Sequence, residues 1–355
     1  MRKIRLGFIG CGDVAQRDYL PEFHRLAKRA ELTAVCGLTE ARVKSVAQQY
    51  GFQTWYTDYR QLLSKSGVDA IINLTPIQMH TEINLAALLA GKHVYTEKPV
   101  ASSVAEAQQM QTIAQQQGLK FVCAPCVMLF PQVKYAQTLI RRDNIGAIYS
   151  ARGQANFGVP PWAGFMSDPT PFFVKGAGPA VDMGVYPLHA LTGLLGPAKR
   201  ITAITTQVLS DFTIVDGPFT DKKIPVEVDD NWHLILDFGD SRLVSMTAQG
   251  CIQGTKTPHV ELHGLQGTIA LNVIDVSAPI DLLRAGSGWE QINVPQTGRA
   301  VGPDHHLGIE HLVDCIQHDR EPVLNVSHAL HVLEIIEKAA QSSTQGRTLT
   351  LETTF

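Results

Sequence analysis

Residues 3–16 read KIRLGFIGCGDVAQ. Apolar strand formers run from Ile4 to Ile9, glycines stand at 10 and 12, and helical spacing opens at Ala15. The pattern is Gly10-x-Gly12-x-x-Ala15, placed directly after a strand and at the start of a helix. Small residues there let the chain turn tightly and let backbone N–H groups at a helix start approach a pyrophosphate. Gly10, Gly12, Asp13, Val14 and Ala15 are therefore the first expected cofactor-binding residues. The alternative reading of the same loop is a tight turn with nothing bound.

Outward from this loop, strand-like and helix-like segments alternate, as a parallel sheet with helical crossovers requires. Strands are expected over 3–9, 32–38, 68–75, 93–97 and 120–124, and helices near 14–29, 40–50, 58–66, 79–91 and 102–118. After Pro131 the pattern changes. A helix near 131–142 and a strand over 147–157 lead into the loop GVPPWAGFMSDPTPFF, then into the helix-like stretch 176–197. Long strands follow, two of them joined by Gly239-Asp240-Ser241, which reads as a hairpin. Helices are expected over 306–318 and 327–342. The fold class is α/β: a doubly wound parallel (Rossmann) domain over 1–125, then an α+β domain with an open, mostly antiparallel sheet over 126–355.

The totals narrow the function. The 355 residues carry a net charge of −3 with both signs interspersed, so no nucleic-acid surface is indicated. No apolar run approaches the ~20 residues of a membrane span, and no secretory leader precedes the first strand, so a soluble cytoplasmic protein is expected. Cys123 and Cys126 form a lone CxxC without a second ligand pair, and Asp304-His305-His306 does not match a metalloprotease helix, so no metal is expected.

The second strand ends in VCGLTEAR, 35–42. Gly37 stands where an NAD-preferring site places a carboxylate for the ribose hydroxyls. Thr39 and Arg42 follow, and a hydroxyl with a guanidinium suits a 2′-phosphate. NADP is the expected cofactor, with NAD as the alternative, and Glu40 is the residue that would favour NAD. LTPIQMH (74–80) and AGKHVYTEKPVA (90–101) end strands at the edge where such sheets bind ligands. Thr75, Pro76, His80, Glu97 and Lys98 are thus further cofactor-side candidates. A lysine there can also donate to a substrate oxygen.

GAGPAVDMGVYPLHALTGLLGP (176–197) carries Asp182, Tyr186 and His189. On an ideal helix these positions fall on one face. Pro187 interrupts the stretch and removes a bond to the Met183 carbonyl. The trio reads either as a buried, locally bonded set or as a catalytic face.

Taken in order, GFIGCGDVA, LTPIQMH, AGKHVYTEKP and GAGPAVDMGVYPLH resemble the glucose–fructose oxidoreductase/inositol dehydrogenase/MocA (Gfo/Idh/MocA) family, and LVDCI…REPVLNVSHALHVLEIIEKA resembles its closing segment. The resemblance implies a nicotinamide cofactor, a sugar, polyol or related hydroxyl substrate, and dimers or tetramers formed through the second domain's sheet. It implies that Lys98 is catalytic and that Asp182 is the aspartate of the second motif. Four residues on, members carry His or Tyr; here the residue is Tyr186. Ile77 departs from the usual Asn of the TPNxxH motif, and MLFP at 128–131 lacks the Arg common before FxP.

The expected activity is hydride transfer to or from a hydroxyl-bearing carbon. Tyr186 is the first choice for the proton carrier, although a free tyrosine titrates near 10 and needs a cation such as Lys98 to lower it. His189 is the rival. Trp162, Phe173, Lys175 and His306 are expected on the substrate side. The other functional class to be weighed is a non-catalytic cofactor-binding sensor on the same fold.

Overall fold

Ile4–Ile9, the first strand (β1), lies inside a six-stranded sheet, flanked by a strand on each side. The computed structural model describes residues 2–160, 165–295 and 298–355. They form two compact units. The first comprises Met1–Cys126, Phe165–Ser167 and His305–Ala329; the second comprises Val127–Gly164, Asp168–Asp304 and Leu330–Phe355.

In the first unit β1 is followed by β2 (Ala30–Cys36), α1 (Glu40–Tyr50), β3 (Thr54–Tyr56), α2 (Tyr59–Lys65), β4 (Ala70–Asn73), α3 (His80–Leu89), β5 (His93–Thr96), α4 (Val104–Gln116) and β6 (Phe121–Cys123). All neighbours pair in parallel, in the order β3-β2-β1-β4-β5-β6. The strands are apolar almost throughout because helices cover both faces of such a sheet. Ser103 and Asp58 cap α4 and α2 by accepting from Glu106 N and Arg60 N.

Two differences from the sequence reading stand out here. The segment 14–29 is not one α-helix but a π turn over Ala15–Tyr19 and a 3-10 turn over Leu20–Arg25. Pro21 supplies no N–H, so α bonding cannot propagate through it. β3 was not expected: its three residues lie at the sheet edge, largely exposed, and carry no burial alternation for a pattern to detect.

The second unit opens with α5 (Pro131–Arg141) and β7 (Ile148–Ala155), followed by α6 (Val185–Leu195) and β8 (Arg200–Thr206). A two-stranded ribbon comes next, β9 (Asp211–Thr213) with β10 (Lys223–Pro225). The long strands are β11 (Asn231–Gly239), β12 (Arg242–Gln249), β13 (Val260–Gly264), β14 (Gly267–Leu271), β15 (Ile280–Arg284) and β16 (Trp289–Ile292). α7 (His306–His318) and the first turn of α8 (Val326–Gln345) belong to the first unit, and the rest of α8 and β17 (Leu349–Thr350) complete the second. The large sheet has the order β16-β15-β14-β13-β7-β12-β11-β8-β17, antiparallel except for the β7–β12 pair. Asp240 and Ser241 both adopt positive φ, 50° and 62°, as a two-residue hairpin turn requires.

Burial alternates along the large sheet, with Trp232, Leu234 and Leu236 buried while Ile235 is exposed. α6 packs on the buried face over Gly153 of β7, where a side chain would meet Leu191 Cδ1 at 2.7 Å. That close seat fixes where α6 carries its polar residues.

Candidate functional site

The glycine loop fits a pyrophosphate on structural grounds. Gly10 has φ of 96°, its N–H donates to Cys36 O, and any side chain there would run into the backbone of Leu74 and Thr75. Gly12 is open: a side chain there would meet nothing nearer than Ser167 Oγ, at 3.9 Å. Asp13 accepts from Arg17 at 2.7 Å and from Met166 N at 3.2 Å. Arg17 also bonds Asp18 at 2.7 Å and stacks over Phe165 at 5.7 Å. Phe165–Ser167 thus folds onto the start of the first helical segment, a contact made through residues distant in sequence. Val14 and Ala15 lie at the start of the π turn.

Beneath the carboxyl ends of β4 and β5 lies a buried polar plug. Asn73 donates to Asn84 Oδ1 at 2.8 Å and accepts from the Thr75 hydroxyl at 2.7 Å and from Thr75 N. Asn84 donates to Thr96 Oγ1 and to Val100 O. The Thr96 hydroxyl donates to Glu97 O. His80 is 1% exposed, with its ring nitrogens at the carbonyls of Pro99 and Thr75. These bonds satisfy groups that would otherwise be costly to bury, and they lock the loops at 74–76 and 97–100 together.

Glu97 and Lys98 stand on that plug. Tyr19 donates to Glu97 Oε1, and Lys98 N donates to Glu97 Oε2 at 3.1 Å. Burial and the Glu97 charge hold the Tyr19 hydroxyl far above its ordinary pKa, so it remains a donor. The Tyr19 and Tyr95 oxygens lie 2.8 Å apart. Cys126 donates to His305 O, and the Lys98–Pro99 peptide is cis.

At the end of β2, a side chain on Gly37 would collide with Cys11 Sγ. A carboxylate-bearing side chain at this point would require Cys11 to move. Thr39 stands at the start of α1 with its hydroxyl making no cap bond, and both Thr39 and Arg42 are exposed. The Arg42 charge reaches the Cys11 thiol, opposing the effect of burial on it. Glu40 is paired with Lys44 at 2.6 Å, and Lys44 lies over Trp55.

In the second unit, Asp182 lies in a π turn over Ala180–Gly184, and Tyr186 and His189 lie in α6. The single α face expected for the trio is interrupted, because the stretch changes helix type just before Pro187. All three side chains are buried. Asp182 and Met183 line a small, largely apolar cavity with Phe157, Val159, Phe172 and Phe173. His189 Nδ1 donates to Val185 O at 2.7 Å, and burial lowers its pKa to about 4, with His331 adding to the effect.

The remaining expected residues are placed as follows. Phe173 is 3% exposed and stacks on Phe212 within a satellite core of Ile214, Ile224 and Val226. Lys175 is exposed. His306 is fully buried in the first unit, bonded to Glu310 at 3.0 Å with its edge against Phe23. Trp162 lies outside the described residues. Among the described residues there is no metal-type cluster of His, Cys, Asp and Glu, and no helix is long and apolar enough to cross a membrane. Burial raises the Cys123 thiol far above its ordinary value, as an inert packing cysteine requires.

Tyr19, Asn73, Asn84 and Phe165–Ser167 were not identified from the sequence. Asn73 did leave a signal, as a polar residue inside the apolar run AIINL. Asn84 left another, four residues after His80 and so on the same helical face.

Comparison with known proteins is consistent with this architecture. The model of the GFO_IDH_MocA oxidoreductase family, NAD-binding Rossmann fold, matches residues 4–124, and that of the GFO/IDH/MocA C-terminal domain matches 133–270. A dTDP-3,4-didehydro-2,6-dideoxy-alpha-D-glucose 3-reductase of Streptomyces violaceoruber is 31% identical over 205 residues, 57% of this chain and 57% of that protein. Its counterpart in Actinomadura kijaniata is 32% identical over 214 residues, 60% of this chain and 63% of that one. The chain thus spans less than two thirds of the length of these two relatives. Levoglucosan dehydrogenase of Pseudarthrobacter phenanthrenivorans is 23% identical over 298 residues, 77% of this chain and 74% of that one. A structure of levoglucosan dehydrogenase with NADH and levoglucosan shares the fold, with a TM-score of 0.85 at 19% identity over 99% of this chain and 100% of that chain. The glycine loop, the plug below Lys98 and the two domain matches in sequence order place this protein in the GFO/IDH/MocA oxidoreductase family, with an NAD-binding Rossmann fold as its first domain.

Proposed function

We propose that the protein is an NAD(P)-dependent oxidoreductase acting on a hydroxyl or keto group of a sugar, polyol or related molecule. The observation that carries this reading is Lys98. It stands at the carboxyl end of β5, anchored through Glu97 and the Asn73–Asn84–Thr96 plug, on the same sheet edge as the glycine loop. Ligands bind at that edge in open parallel sheets.

The glycine loop would hold the pyrophosphate, and Thr39 and Arg42 the adenosine ribose. NADP is the proposed cofactor, because Gly37 supplies no ribose-binding carboxylate and Glu40 is engaged by Lys44. When bound, the nicotinamide supplies or accepts the hydride. Lys98 binds the substrate oxygen through its ammonium. Tyr186 carries the hydroxyl proton, and Asp182 orients the substrate. His189 is the weaker proton carrier, because a ring with a pKa of about 4 holds no second proton at neutral pH. Relatives named as sugar reductases and dehydrogenases support the substrate class. We further propose a cytoplasmic homodimer or homotetramer formed through the exposed face of the large sheet.

A panel of sugars, polyols and their keto derivatives, assayed with NAD(H) and NADP(H), tests the reading. Turnover of at least one member with a preference for NADP(H) is expected. Tight cofactor binding with no turnover across the panel would contradict it.

A further inference from the structure

His80 opens α3 and is almost wholly buried, yet both of its ring nitrogens face acceptors. Nδ1 lies 2.7 Å from the carbonyl oxygen of Pro99, and Nε2 lies 2.9 Å from that of Thr75. A carbonyl oxygen only accepts. A neutral imidazole has one N–H, so it satisfies one carbonyl and turns a bare lone pair toward the other. An imidazolium has two N–H groups and satisfies both. The two carbonyls belong to different loops. Thr75 follows Leu74, whose backbone abuts Gly10, and Pro99 follows Lys98. One ring therefore spans the tip that touches the glycine loop and the tip that carries the lysine.

We propose that His80 is a proton-gated tie between these two cofactor-side loops: the cationic ring holds both, the neutral ring holds one, and cofactor affinity follows its protonation. His80 is a positioning residue, acting through backbone carbonyls rather than by touching the cofactor. The inference rests on the cofactor reading of the glycine loop, and is independent of the substrate.

The surroundings set the direction of the gate. Burial lowers the pKa of the ring below the ordinary histidine value; the two carbonyls and Glu97 oppose that effect, and Lys98 adds to it. On the same helix Glu82 is turned to Tyr59 and Arg60, and Glu106 of α4 is bonded to Thr81. The gate therefore works on the acid side of about 6.5, closing as pH falls. By linkage, if closing favours the cofactor, the cofactor raises the pKa of the ring.

The test uses the protein labelled with ¹³C and ¹⁵N, titrated between pH 5.5 and 8 with and without NADP⁺, with the His80 ring assigned through its bonds to the backbone of residue 80. Wild type and His80→Gln are titrated with NADP⁺ by calorimetry across that range. The tie predicts a ring that gains its second proton as pH falls and whose midpoint rises when NADP⁺ binds. It also predicts that wild-type Kd tightens about 3- to 10-fold toward acid, the worth of one hydrogen bond, and that His80→Gln abolishes this slope. A ring that stays singly protonated throughout, or a midpoint unmoved by NADP⁺, overturns the proposal, and both are read on wild type even if the variant fails to fold. Identical slopes in the two proteins overturn it as well. Absence of NADP⁺ binding at every pH overturns the gate along with the cofactor reading, whereas binding without sugar turnover contradicts only the substrate reading.

Discussion

Gly37 shows how a single absent side chain bears on cofactor choice. The sequence displayed a glycine where a carboxylate was looked for. The structure adds the reason: Cys11, inside the glycine loop, occupies the space. Gly37→Ala is expected to cost about 1–3 kcal/mol by overpacking, read by denaturant unfolding, and Cys11→Ala in the same chain is expected to recover most of that loss. An undiminished stability in Gly37→Ala would show that the crowding is not real. His189 yields a second prediction at this scale. With an ordinary pKa near 6.5 in the unfolded chain and about 4 when folded, its contribution is complete above pH 6.5 and is lost as pH falls toward 4. The loss is about 3 kcal/mol. Urea unfolding against pH should therefore fall less steeply on the acid side in His189→Leu than in wild type; parallel curves would contradict the assignment.

Among the elements, those with strong local signals were legible before the structure. β1, the glycine loop, α1, α3 and α4 were all expected close to where they lie, because alternation, caps and glycine stops are written within a few residues. The segment 14–29 was not, because Pro21 forbids one bond and the chain answers with two irregular turns. The stretch 180–195 likewise follows helical spacing but divides into a π turn and α6, so the angular relation of Asp182 to Tyr186 could not be read from an ideal helix. The positioning apparatus was the least legible part. Tyr19 reaches Glu97 across 78 residues, and Asp13 reaches Met166 across 153. Such partners leave no local periodicity to find.

For the whole molecule, the nine-stranded sheet presents an outward face on which Ile204 is 69% and Ile235 is 54% exposed. Isolated exposed aliphatics are ordinary, but two on paired strands of one sheet face suit a self-association surface. Ile235→Glu is expected to shift the protein to smaller species in sedimentation velocity while leaving cofactor binding intact. An unchanged distribution would place the interface elsewhere, or show that the protein does not self-associate.

The central claim is that Lys98, held by Glu97 over the buried plug, performs chemistry rather than merely closing a loop. Lys98→Met tests it most directly, by measuring NADPH binding and turnover of the best substrate on the same preparation. The account predicts binding within a few-fold of wild type and turnover reduced by at least about 10²-fold, the scale expected for removing a group that assists proton transfer. Turnover close to wild type would contradict it.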